Sequence, residues 1–406
     1  MKASRLAKNL EICSFKIQRI KEISEAINDN LETNKLLDLF KVFLNEKLEI
    51  GQFVFYSCAN KEWELLSDFG IKGTPDLKDF KFYNTFKDIQ IGDYQIPGVT
   101  TTFEVLIPVF HHKKLLSLLF LADPEEKIGI SPIIKHLNFI QSLTNLVSVA
   151  IVNKRLHIEE IEKERLNREL ELAAEMQSSL IPEGNFSNKY LKLNAYYQPH
   201  NLIGGDYYDY FIDESRVVFC MADVSGKGIS AAIFMSNFQA KLHSLLKNTD
   251  LRLAELVEIL HSEIDQVSKG DRFITLFIAE YNFDTHLLEY VNAGHNPPMC
   301  LHDNEILLLE RGTTGLGMVE KLPKVRVGSQ VVRKNDVIIC YTDGITETQS
   351  ENGDWFGEER LMDILKKRGN CGAPIKINSE IINQTKSFQG KMADHDDFAL
   401  LTICFN

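Results

Sequence analysis

The spacing of apolar residues changes several times along the chain, and each change marks an element. In the first twenty-five residues, Leu6, Leu10, Ile17, Ile20 and Ile23 fall near one face of a helix. Residues 36–48 repeat the helical pattern. The period then shortens. Residues 52–57 (QFVFYS) are rich in β-branched and aromatic side chains, residues 63–69 continue them, and Gly70, Gly73 and Pro75 punctuate. Residues 103–110 and 115–121 are two more strands, joined by His111-His112-Lys113-Lys114 at hairpin spacing. That His pair reads as an exposed turn and not as a metal or haem site. Ser131-Pro132 opens a helix whose 136–153 stretch has no formal charge. Asn, Gln, Ser and Thr recur through it, so it reads as a helix buried in protein and not as a membrane span. The order predicts a small α+β domain over residues 1–150.

From Lys154 the pattern becomes charged helix, without Pro or Gly until Pro182. Leu166, Leu170, Ala173, Gln177 and Leu180 step by four and three, a heptad seam. Ile151, Ile158 and Ile161 lie on another phase, so a stutter is expected near Arg165. Residues 151–181 are thus expected to be a coiled-coil linker that makes a homodimer. After Pro182 strands return, at 192–197, 217–222, 273–281, 287–291, 305–309, 337–341 and 398–405. Helices are expected at 230–246, 253–267, 358–367 and 375–384. Residues 182–406 form the last domain.

Composition adds limits. The 406 residues are 44% hydrophobic and 25% charged, as in a soluble globular protein of two to three domains. The net charge of -12 argues against non-specific nucleic-acid or anionic-membrane binding. Residues 1–20 hold no apolar run, so no secretory signal is expected. Seven Cys, without a C-x-x-C pair, fit a reducing cytoplasm and not a disulfide framework.

The candidate chemistry lies at strand ends. VVFCMA runs into Asp223 and then VSGKG; VIICYT runs into Asp343 and then Gly344. Such a pattern puts a carboxylate at a sheet rim beside flexible backbone. Gly204-Gly205-Asp206 offers a third acid, and Asp394-His395-Asp396-Asp397 a fourth cluster. Any one of these acids alone reads as a turn residue. Four together, with no competing His/Cys motif, suit a hard divalent cation. Gly226-Lys227-Gly228 is not a phosphate loop, and neither G-x-S-x-G nor H-E-x-x-H occurs.

Nine segments in order, AAEMQSSLIP (173–182), GGDYYDYF (204–211), MADVSGKGISAA (221–232), FITLF (273–277), YVNAGHNPP (290–298), GLGM (315–318), YTDGITET (341–348), FGEERL (356–361) and DDFALLTI (396–403), resemble the bacterial PP2C-like serine/threonine phosphatases of the SpoIIE/RsbU type. The resemblance covers residues 173–406. It implies an αββα β-sandwich and a binuclear Mn²⁺ or Mg²⁺ centre. On matching positions it makes Asp206 and Asp223 the catalytic acids through the two ions they hold. The Val224 carbonyl, Asp343 and the Asp396-Asp397 pair complete the metal set. Alignment on Phe398 makes Asp396 the ligand and Asp397 its support. Lys227 and Asn296 are weaker, substrate-binding candidates. Ala399 stands where the family has a hydroxyl residue. The N-terminal domain looks like a GAF sensory domain, which gives an α+β protein of sensor, linker and phosphatase. The expected substrate is a phosphorylated regulatory protein of the anti-sigma-factor-antagonist kind, under a signal that no motif identifies. The competing reading is a catalytically silent dimeric docking module, whose mark would be loss of Asp206, Asp223 or Asp343.

Overall fold

The computed structural model describes residues 2–59, 62–78, 80–111, 114–123, 131–368, 372–392 and 396–406. Asp394, His395 and His112 lie outside them. The chain divides into two compact units, residues 1–165 and 166–406.

In the first unit, α1 (Lys2–Asn28) and α2 (Thr33–Val42) lead through a π-helical turn at Phe43–Lys47 into β1 (Gln52–Ala59) and β2 (Glu62–Phe69). A short α3 (Phe80–Tyr83) precedes β3 (Gln90–Gln95), β4 (Thr102–His111) and β5 (Lys114–Ala122). One antiparallel sheet results, in the order β2-β1-β5-β4-β3. Alternation along β1 separates its two faces. Phe53 and Phe55 pack on Phe40, Leu44, Ile133 and Ile140 of the helices. Val54 and Tyr56 join Tyr83, Phe103 and Phe120 on the other side. The expected apolar face of α1 is only partly used. Ile23 is buried, whereas Leu10 and Ile17 are exposed.

The helix α4 (Pro132–Ser178) is continuous, so the uncharged and the charged segments are one element. It ends before Leu180, which lies in a turn. Among the described residues no helix is long and apolar enough to cross a membrane.

The second unit continues with β6 (Asn185–Ser187), β7 (Leu191–Gln198), β8 (Tyr207–Ile212), β9 (Arg216–Val224), α5 (Ile229–Asn248) and α6 (Leu253–Ser268). Next come β10 (Ile274–Asn282), β11 (Leu287–Ala293), β12 (Met299–His302), β13 (Glu305–Leu308), β14 (Gly312–Thr313), β15 (Gly328–Val331) and β16 (Val337–Tyr341). It closes with α7 (Asp343–Thr346), α8 (Gly357–Arg368), α9 (Pro374–Gln389) and β17 (Phe398–Phe405). One sheet runs β14-β11-β10-β9-β8, with β15 also on β11; the other runs β13-β12-β16-β17-β7-β6.

Side-chain alternation shows how the layers stack. On β9, Val218, Cys220 and Ala222 pack on Phe238, Leu242 and Leu260 of α5 and α6. Val217, Phe219 and Met221 instead meet Ile338, Leu401 and Ile403 of the other sheet. That second sheet turns Ile339, Tyr341 and Leu400 onto Leu361, Ile377 and Ile381 of α8 and α9. The unit is an αββα sandwich. Each buried aromatic or aliphatic side chain contributes roughly 1.5–3 kcal/mol.

Candidate functional site

The two-residue period of the strands carries the site. Tyr208 of β8, Met221 of β9 and Cys340 of β16 face the space between the sheets. Counting by two from each strand places Asp206, Asp223 and Thr342 on that same inner face, at the strand ends. The register pairs Tyr207 with Ala222, which brings Asp206 beside Asp223. On the facing sheet, Tyr341 pairs with Leu400, and Thr342 hydrogen-bonds Ala399: the Thr342 amide donates to the Ala399 carbonyl, and the Ala399 amide to Thr342 Oγ1. Asp343 opens α7 there, next to Asp396 and Asp397 before β17.

These acids feel one another. Burial first, then the charge of Asp223, pushes the Asp206 carboxyl well above its ordinary range, while a hydrogen bond with Thr342 opposes the shift. Burial, followed by the charges of Asp343 and Asp396, pushes Asp223 up to about 7. Asp343 is raised by burial and by Asp396, with Lys227 acting against it. Asp206 Oδ2 is buried without a hydrogen-bond partner. A cluster of carboxylates that destabilise one another, one with an unpartnered buried oxygen, is a donor set that fits a hard divalent cation.

The cluster is not closed into a coordination sphere. Among the described residues no three His, Cys, Asp or Glu side chains form a ready ligand group. Two contacts account for this. Lys227 Nζ donates to Asp396 Oδ2 at 2.7 Å, so an ammonium already neutralises that acid. The carboxylate of Asp397 is engaged by backbone: Oδ1 accepts the His200 amide at 2.8 Å and Oδ2 the Gly205 amide at 2.6 Å. Asp397 thus holds the turn before Asp206, and its charge, like that of Asp396, still reaches the cluster. Lys227, expected to meet substrate, lies against Asp396. The loop with Asn296 is held by Asn292, whose Oδ1 accepts the His295 amide, and by His295, which shares a 2.9 Å hydrogen bond with Thr275. No hydrogen bond joins Asn296 to the acids among the described residues.

Close approach explains two glycines. A Cβ on Gly344 would overlap the carbonyl oxygen of Asp397, and one on Gly204 would overlap both the Tyr197 hydroxyl and the Asp397 carboxylate. Several residues of the site are not singled out by the sequence, although Thr342 and Gln177 lie inside the motif segments. Thr342 is fully buried and bonds Asp206. Arg272 ties the loop after Asp223, donating from Nη1 to the Ser225 carbonyl and from Nη2 to Ser230 Oγ. Gln177, a seam residue by its heptad phase, is buried against Gly204. A polar residue in an apolar seam was the available signal.

Residues 213–406 match the family model for Stage II sporulation protein E (SpoIIE). Phosphoserine phosphatase RsbU of Bacillus subtilis is 28% identical over 318 residues, covering 77% of this chain and 88% of RsbU. Phosphoserine phosphatase RsbP of the same organism is 30% identical over 186 residues, covering 44% of this chain and 45% of RsbP. Among solved structures, the SiaA-PP2C domain of Pseudomonas aeruginosa superposes with a TM-score of 0.53 at 17% identity, covering 60% of this chain and 99% of that domain. That last likeness concerns the fold, and it is the sandwich described above. Residues 213–406 thus match the SpoIIE family, the chain is similar to the phosphoserine phosphatases RsbU and RsbP, and its second unit has the fold of a PP2C domain.

Proposed function

We propose that residues 182–406 hydrolyse phosphoserine or phosphothreonine on a regulatory protein, using two Mn²⁺ or Mg²⁺ ions. The observation that carries this is the meeting of Asp206, Asp223, Asp343 and Asp396 from four strand ends, with Asp206 Oδ2 buried and unpartnered. Asp206, Asp223, Asp343, Asp396 and the Val224 carbonyl would hold the ions. Bound there, such ions supply neutralisation of a phosphate dianion and a lowered pKa of water. The chain's own residues do the rest. Asp397 holds the Gly204–Asp206 turn in place, and Lys227 carries positive charge at the outer edge of the acids. A cavity of about 120 Å³ opens beside Asp396 and Gly344, with Tyr196, Trp355, Lys386 and Phe398 in its wall. Its size suits a side chain flanking the phosphorylated residue.

Residues 1–150 serve in this reading as a GAF-like sensory domain, with 151–181 as a dimerising linker. Support comes from the separate apolar core of the first unit and from the exposed Leu166 on α4. In this reading the substrate class is the phosphorylated antagonist of an anti-sigma factor, as the resemblance to SpoIIE/RsbU-type phosphatases implies, and the protein acts in the cytoplasm.

The activity is tested by phosphate release from phosphoserine, phosphothreonine and phosphotyrosine peptides in Mn²⁺. Turnover of the first two, with phosphotyrosine left intact, supports the reading. Turnover of p-nitrophenyl phosphate alone would move the function to small phosphate esters.

A further inference from the structure

We propose that Gln177 is a positioning residue for Asp206, acting through the peptide of Gly204; this rests on the reading that Asp206 helps to hold a divalent cation. Gln177 lies in the last turn of α4 and is 6% exposed. Its amide makes a reciprocal pair with one residue. Nε2 donates to the Gly204 carbonyl at 2.7 Å, and Oε1 accepts the Gly204 amide at 3.1 Å. A single hydrogen bond would leave the Gly204 backbone free to rotate about it. Two antiparallel ones fix its place and its orientation.

The other side of the same turn is also held. Asp397 Oδ2 accepts the Gly205 amide at 2.6 Å. Gly204 has no room for a side chain between the Tyr197 hydroxyl and that carboxylate. The Gly204–Gly205 peptide is therefore clamped from both sides, its carbonyl by the Gln177 amide of α4 and its N–H by the Asp397 carboxylate at the start of β17. Asp206 follows with its Oδ2 buried and unpartnered. Its position rests on this clamp, and the Gln177 half comes from outside the two sheets. Groups that orient a metal ligand in this way affect affinity by roughly 10–100-fold when removed.

A merely structural glutamine would close the end of α4 and nothing more. The test separates the two roles in the full chain with Mn²⁺ as the probe. Free Mn²⁺ is read by electron paramagnetic resonance to obtain the dissociation constant, and the melting temperature is taken in chelator. Gln177→Met keeps the length and removes both hydrogen bonds. Gln177→Asn keeps the amide but is one methylene too short to hold both contacts. As a control, Asn378→Leu removes another buried amide, 2% exposed, which bonds Asn194 and Thr402 away from the acids. We expect both Gln177 variants to weaken Mn²⁺ binding about tenfold or more, and Asn378→Leu to lower the melting temperature with the dissociation constant unchanged. Wild-type Mn²⁺ affinity in Gln177→Met overturns the proposal, as does a loss in Asn378→Leu of the same size. If Gln177→Met does not fold, wild-type affinity in Gln177→Asn overturns it. A wild-type chain that binds no Mn²⁺ overturns the metal-centre reading itself, which the wild-type arm alone reveals.

Discussion

Asp397 accepts the backbone amide of Gly205 at 2.6 Å across 192 residues of chain. That bond joins the start of the last strand to the turn before Asp206. Its neighbour Asp396 makes a different contact, an ion pair with Lys227. Two adjacent acids thus have separate tasks.

The difference is measurable. Asp397→Asn replaces one acceptor oxygen by an NH₂ that must face a buried amide donor, at a cost of about 1–3 kcal/mol. Asp396→Asn removes only a half-exposed ion pair, worth about 0–1 kcal/mol, and keeps an oxygen for the Asp397 amide. Denaturant unfolding in chelator is expected to show a clear loss for the first variant and little change for the second. Mn²⁺ titration is expected to show a loss for both.

Gly344→Ala tests the close approach of α7 to the chain before β17. A methyl group there meets the Asp397 carbonyl oxygen, which is backbone and cannot rotate away. Displacement costs about 1–3 kcal/mol and moves Asp343 relative to Asp396. Weaker Mn²⁺ binding together with a lower melting temperature is the expected result; a wild-type ion affinity would show that the two acids need not be held this closely.

Much of the site was legible because acids at the ends of apolar strands obey a local rule. A run such as VIICYT before Asp343 marks both the strand and the rim residue. What was not legible depends on contacts between distant segments. Gln177 and Leu170 share one heptad phase, yet only the folded chain shows that Gln177 turns onto Gly204. Strand β8 was hidden inside the GGDYYDYF motif, where the glycines suggested a turn and the tyrosines carried the strand. Strand β3 (QIGDYQ) is an edge strand with exposed alternate positions, so its apolar signal is weak. The single helix α4 was divided by its change from uncharged to charged composition, although nothing in that change breaks a helix.

His295 makes acid pH costly. It is buried, and burial lowers its pKa from 6.5 to about 4. The unfolded chain takes up the proton below about pH 6.5, while the folded chain resists until about pH 4. Stability is therefore lost as pH falls through that window, by up to about 3 kcal/mol from this residue, and is fully present above it. His295→Gln, which cannot take up the proton, is expected to close about 2 kcal/mol of its gap to wild type between pH 7 and pH 4.5. Unfolding curves at the two pH values check this; a gap that stays constant would mean that His295 titrates normally in the fold.

Asp223 is the acid on which the whole account turns, since Asp206, Asp343 and Asp396 all act on it or feel its charge. In chelator, Asp223→Asn relieves buried like-charge repulsion and is expected to be more stable than wild type by on the order of 1–3 kcal/mol. The most direct measurement is phosphate release from a phosphoserine peptide by the full chain in Mn²⁺, in chelator, and with Asp223→Asn. The expected result is turnover in Mn²⁺, none in chelator, and none in a folded Asp223→Asn. Turnover that persists in chelator or in the variant would contradict the account.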